Sequence, residues 1–156
     1  MTKTILVTGG TSYIGSHTVK ALLNAGYKVH VLDNLSTGNR ATVDNRASFK
    51  ELDVYDASAL KAYLEENQID AVLHYAGEIV VSESIENPSK YFTANVAGRN
   101  QVLKVLSEVG TQKIMFSSTA SLYGNNCIDK PATGNMLFSV TLMLLGLKWM
   151  LQTVCV

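Results

Sequence analysis

The sequence predicts an α/β fold, a doubly wound parallel sheet that is truncated and followed by an atypical apolar C-terminal tail. Three observations predict it. Short apolar, β-rich runs alternate with helical stretches. A glycine-rich turn, "VTGGTSYIGSH", joins the first run to the first helix. Polar residues cluster at the end of each run, where such sheets bind ligands.

Each element has its own signal. Thr4–Thr8 (TILVT) is continuously apolar and stops at Gly9 and Gly10, as a buried strand would. Residues 14–25 repeat at helical spacing, with Ile14, Val19, Leu22 and Leu23 expected inward and Gly26 as the stop. Lys28–Leu32 is the second strand and Phe49–Leu52 a short third. Ser58–Asn67 reads as a helix and Ala71–His74 as the fourth strand. Pro88–Val109 reads as one long helix closed by Gly110, and Lys113–Phe116 as the fifth strand. Parallel strands joined by right-handed crossovers follow from this alternation.

Bulk composition narrows the function. Thirteen basic and 13 acidic residues balance, so no basic face for nucleic acid is expected. Cys127 and Cys155 make neither a disulfide framework nor a metal cluster, which points to a reducing, cytoplasmic setting. The first ten residues, MTKTILVTGG, lack the pattern of a signal peptide.

The strand ends carry the candidate chemistry. Gly9 and Gly10 permit a tight turn and let backbone amides approach a phosphate, while Gly15 allows the helix to pack close on the strand. Asp33 lies 18 residues past Gly15, where a carboxylate accepts from both ribose hydroxyls of NAD and repels a 2′-phosphate. Asp53 and Val54 follow the third strand, at the place for an adenine edge. "HYAG", His74 to Gly77, puts small residues where a flat cofactor fits, with His74 read as a packed strand residue rather than a base. Asn95 is a polar residue on an otherwise apolar helix face, either a structural hydrogen-bonder or the holder of a water near the site. Ser117, Ser118 and Thr119 end the fifth strand, either as caps or as donors to a substrate oxygen.

Together "VTGGTSYIGSHTV", "VLDNLSTG", "LDVYD", "HYAG", "ENPSKYFTANVAG" and "FSSTASLYG" resemble the extended short-chain dehydrogenase/reductase superfamily, within it the UDP-glucose 4-epimerase branch. The resemblance covers about residues 3 to 133 and divides the chain into a Rossmann-like NAD-binding part, 1–133, and a tail, 134–156. It implies NAD as cofactor, held by Gly9, Ser12, Tyr13, Ile14, Gly15, Asp33, Asn34, Asp53, Val54, Tyr75, Ala76, Gly77, Asn95 and Ser117. It implies a UDP-hexose as substrate, oxidised at C4 and reduced again on its other face, and a homodimer as a common assembly. Thr119 matches the hydroxyl that binds the reacting oxygen.

Three departures stand against that pattern. Ser12 replaces the family's middle glycine, where a Cβ would crowd the pyrophosphate and disfavour a positive φ, and where a hydroxyl could instead donate to phosphate. Ile79 replaces a cofactor-contacting lysine. The family's catalytic Tyr-x-x-x-Lys is absent, since none of the seven tyrosines has a lysine four residues on. The expected spacing from Thr119 falls on Met143 or Leu144, the latter four before Lys148. Loss of such a base typically costs on the order of 10²–10⁴-fold in rate.

The last 26 residues carry one charge, Lys148, while the first 130 carry 25. Three readings of this tail stay open. Residues 136–156 are long enough for a membrane anchor, at the cost of Lys148 in the apolar span. They also suit a buried core helix. Finally, Val140-Thr141-Leu142-Met143 can be encoded so that a shifted frame reads Asn-Pro-Tyr, the opening of the family's tyrosine motif, as a frame slip or truncation would leave it. An apolar tail beside an open sheet edge predicts poor solubility.

Overall fold

The computed structural model describes residues 2–117. Five parallel strands form one sheet in the order β3-β2-β1-β4-β5. They are β1 (Thr4–Thr8), β2 (Lys28–Asp33), β3 (Ser48–Glu51), β4 (Ala71–His74) and β5 (Ile114–Phe116). The helices are α1 (Tyr13–Asn24), α2 (Ala57–Asn67), α3 (Val81–Glu86), α4 (Pro88–Phe92) and α5 (Arg99–Glu108). A π-helical turn, Thr93–Gly98, joins α4 to α5, and a 3₁₀ turn, Arg40–Thr42, lies between β2 and β3.

Side-chain alternation along β1 and β2 explains the two faces. Ile5, Val7, Val29 and Val31 pack with Val19 of α1. Leu6, Leu32 and Val72 face the other way, onto Leu60 and Leu64 of α2 and Val102, Val105 and Leu106 of α5. Both faces are thus covered, as a parallel sheet requires. The chain leaves β1 towards β2 and β3, then crosses back to β4 on β1's other side. The strand order therefore reverses beside β1, and the connections that follow β1 and β4 part there to opposite faces of the sheet.

Local chemistry sets the boundaries. Ser12 caps α1, its hydroxyl accepting from the Gly15 amide. Asp56 caps α2 through the Ala59 amide, and Asn87 caps α4 ahead of Pro88. The predicted helix over 88–109 is helical throughout but carries the π turn in its middle. α3 lacks a side-chain cap and a periodic apolar face, which is why its six residues escape a pattern search. The expectation that Ile14 points inward is corrected: it is 58% exposed, because it stands in the first turn of α1 and lines the cleft described below instead of the core. The apolar tail lies outside the described residues. No helix among the described residues is long and apolar enough to cross a membrane.

Candidate functional site at the strand switch point

The turn after β1 is built by contacts that only glycine permits. Gly9 has φ +70, and a Cβ there would lie 2.6 Å from the Ala76 amide nitrogen and 2.8 Å from the Tyr75 carbonyl carbon. The β1 and β4 corners therefore touch backbone to backbone. A Cβ on Gly15 would run into the Gly9 carbonyl oxygen and lie 2.8 Å from Gly10 Cα, so α1 lies directly on the turn. Helix geometry leaves the Tyr13 and Ile14 amides without intrahelical acceptors, at the positive end of the α1 dipole.

Ser12 fits this turn more easily than the sequence suggests. Its φ is −73 and ψ 168, an extended conformation open to any residue. The expectation of a disfavoured positive φ is therefore corrected. Its hydroxyl donates to the Gly9 carbonyl at 2.7 Å and accepts from the Gly15 amide at 3.2 Å. That hydroxyl holds the turn together and is not offered outward.

Asp33 closes the other side. One carboxylate oxygen accepts from the Thr11 amide at 3.0 Å, the other from the Leu35 amide at 2.9 Å. The carboxylate thus ties the end of β2 to the glycine turn, and each oxygen keeps a lone pair for a ligand. Asn34 donates to Asp53 at 3.4 Å, and Asp53 also accepts from the Tyr55 amide. Gly38 presses on Thr11, whose carbonyl accepts from Thr42 Oγ1 at 3.0 Å. The loop after β2 is folded over the turn by these contacts.

On the β4 side the Asn95 side chain binds Glu78 twice, accepting from its amide at 3.1 Å and donating to its carbonyl at 2.9 Å. Asn95 thus joins α4–α5 to the β4 corner through the Glu78 backbone. Buried His74 meets Thr8 Oγ1 at 2.8 Å and stacks on Phe116, a packed strand residue as expected.

These walls enclose a cleft of about 370 Å³. Of the sequence candidates, Gly9, Ser12, Tyr13, Ile14, Asp33, Asn34, Asp53, Val54, Tyr75, Ala76, Gly77 and Ser117 line it. Gly15 and Asn95 stand behind the wall and shape it. Thr119 lies outside the described residues. Ile79 is on the rim and 74% exposed. Tyr55 and Arg99 also line the cleft and were missed. Arg99 had a signal: with Asn95, Val102 and Leu106 it falls on one buried helical stripe, where a guanidinium is out of place. Among the described residues no cluster of His, Cys, Asp or Glu could hold a metal ion.

A glycine turn, a helix N-terminus and a strand-end carboxylate converging at a switch point define the doubly wound, dinucleotide-binding class of fold. The sequence profile described as the NAD dependent epimerase/dehydratase family matches residues 5–138, and the chain belongs to that family. UDP-glucose 4-epimerase of Lacticaseibacillus casei is 48% identical over 121 residues, which are 78% of this chain and 37% of that protein. The Bacillus subtilis enzyme of the same name is 43% identical over 128 residues, covering 77% and 38%. Among solved structures, UDP-glucose 4-epimerase from Brucella ovis in complex with NAD superposes with a TM-score of 0.83 at 33% identity, over 97% of this chain and 46% of that one. The Bifidobacterium longum enzyme in complex with NAD+ and UDP gives 0.86 at 30% identity, over 98% and 48%. The chain therefore spans less than half the length of these relatives.

Proposed function

We propose that this chain is the cofactor-holding part of a UDP-glucose 4-epimerase, that it takes NAD in the cleft, and that it turns over little UDP-hexose by itself. The observation that carries this is the convergence, in one cleft, of the Gly9–Gly15 turn, the Asp33 carboxylate and the Tyr75–Gly77 corner. The residues fit a dinucleotide. The α1 amides and dipole suit a pyrophosphate, Asp33 suits ribose hydroxyls, and Asp53 with Asn34 suits an adenine edge. The free Asp33 lone pairs favour NAD over a 2′-phosphorylated dinucleotide. When bound, NAD supplies reversible hydride acceptance.

The relatives act on UDP-glucose by name, which supports a UDP-hexose as the substrate class. The missing Tyr-x-x-x-Lys supports low turnover, because no phenolate is then placed to take the sugar hydroxyl's proton. The paucity of cysteines supports a cytoplasmic setting.

The test combines calorimetric titration of the purified chain with NAD and an assay of UDP-galactose to UDP-glucose conversion with NAD supplied. Saturable NAD binding is expected, with turnover lower than that of a full-length relative by about 10²-fold or more. Absence of NAD binding would overturn the cofactor assignment, and turnover matching the relative would overturn the low-activity part. Binding with no turnover at all would favour a purely non-catalytic NAD-binding module.

A further inference from the structure

Arg99 opens α5, and its residue is only 4% exposed. One bond holds its guanidinium: Nη2 donates to Asn95 Oδ1 at a long 3.5 Å. Nε and Nη1 are buried and have no hydrogen-bond partner among the described residues. The guanidinium carbon lies 4.0 Å from the centre of the Phe116 ring, so the ring covers one face. Glu78, whose backbone binds Asn95, pairs with Lys90 at 3.4 Å. Burial pulls the Arg99 pKa down to about 10, still far enough above neutrality to keep the charge.

A second orphan sits close by. The Tyr55 hydroxyl is buried and has no hydrogen-bond partner among the described residues. Burial pushes its pKa up to about 12, so it remains a neutral O–H donor. The Tyr55 ring packs on Gly98, the residue before Arg99: a Cβ on Gly98 would lie 2.5 Å from Tyr55 Cδ1. Tyr55 and Arg99 line the same cleft, with Ser117 beside them. Gly77 makes the approach possible: a Cβ there would lie 2.9 Å from both Arg99 Nη2 and Asn95 Oδ1.

Several N–H and O–H donors without an acceptor among the described residues, on two side chains that line one cavity, make a set suited to an anion. A buried cation without a counter-charge lowers stability. It serves no packing purpose that an apolar residue would not serve better. We propose that Arg99, assisted by Tyr55, forms an oxyanion site in the inner wall of the cleft and holds a phosphate group of the bound dinucleotide. The oxyanion site stands on its own geometry, while the dinucleotide as the source of the phosphate rests on the function proposed above.

The test uses the full chain and three probes: pyrophosphate, NAD, and nicotinamide riboside, which carries no phosphate. Thermal midpoints are read at constant ionic strength against chloride, and affinities by calorimetry. Pyrophosphate is expected to raise the midpoint of the native chain, and Arg99→Met to abolish that rise. Arg99→Met is also expected to raise the midpoint without ligand, which a structural arginine would not do. NAD affinity is expected to fall by about 10- to 100-fold in Arg99→Met and less in Arg99→Lys, with nicotinamide riboside unchanged. No pyrophosphate effect beyond chloride in the native chain would overturn the site, whether or not the variants fold. An Arg99-dependent pyrophosphate effect with unchanged NAD affinity would overturn the dinucleotide as the source. An Arg99-dependent pyrophosphate effect in a chain that binds no NAD would uphold the site and overturn the function proposed above.

Discussion

Ser12 sits at the crossing of two demands, one from the helix and one from the cleft. The family's glycine is absent there, yet the backbone keeps φ at −73 and the hydroxyl joins Gly9 to Gly15. The stabilising part of that arrangement is the cap. Ser12→Ala is expected to cost about 1 kcal/mol of stability, and Ser12→Gly only a few tenths, both read by chemical denaturation. Because the hydroxyl is already spent inside the turn, Ser12→Gly is expected to change NAD affinity by less than about tenfold, or about 1.4 kcal/mol. A larger gain in affinity would mean that the Ser12 Cβ does obstruct the ligand. The glycines and Asp33 were legible from sequence because their roles depend on backbone geometry at fixed offsets from a strand. The role of Ser12 was not, since sequence alone cannot say whether a position uses positive φ. Arg99 was overlooked for a related reason: its neighbours come from β5 and the β4 corner, far away in the chain.

Between elements, β2 and α2 are joined by a polar contact within an apolar layer. His30 Nδ1 meets the Tyr63 hydroxyl at 2.8 Å, and the rings lie edge to face. Burial, with a smaller contribution from the charge of Lys28, lowers the His30 pKa below 6.5. The unfolded chain therefore takes up this proton first as pH falls. The folded state is expected to lose stability from about pH 6.5 downwards towards the lowered value, and to show no such slope above 6.5. Denaturant midpoints at pH 7.5 and 5.5 measure this, and His30→Gln is expected to flatten the difference. An equal slope in the variant would assign the effect to another group. Strand and helix existence was readable from apolar runs and caps. The interruption of the 88–108 helix by a π turn was not, because every residue in TANVAG is compatible with a regular helix. That turn precedes Arg99 directly, and such turns gather at functional sites.

Across the whole molecule, β1 is the element on which both halves depend. It pairs with β2 on one side and with β4, 66 residues on, on the other. The cleft walls come from both pairings, Asp33 from one and the Tyr75–Gly77 corner from the other. The alternating elements made this topology legible, since a parallel sheet with right-handed crossovers leaves few arrangements. A kinetic consequence follows. The β1–α1–β2 unit closes over a short loop, while β4 must find β1 across a long one, a slower event because more chain entropy is lost. During refolding, helical circular dichroism is expected to recover before NAD can be bound, the lag being the time β4 takes to dock. Simultaneous recovery of both signals would show instead that the sheet assembles in one step. If the lag is found, NAD capture would serve as a clock for the last strand to arrive, and a newly made chain would acquire its ligand only once its topology is complete.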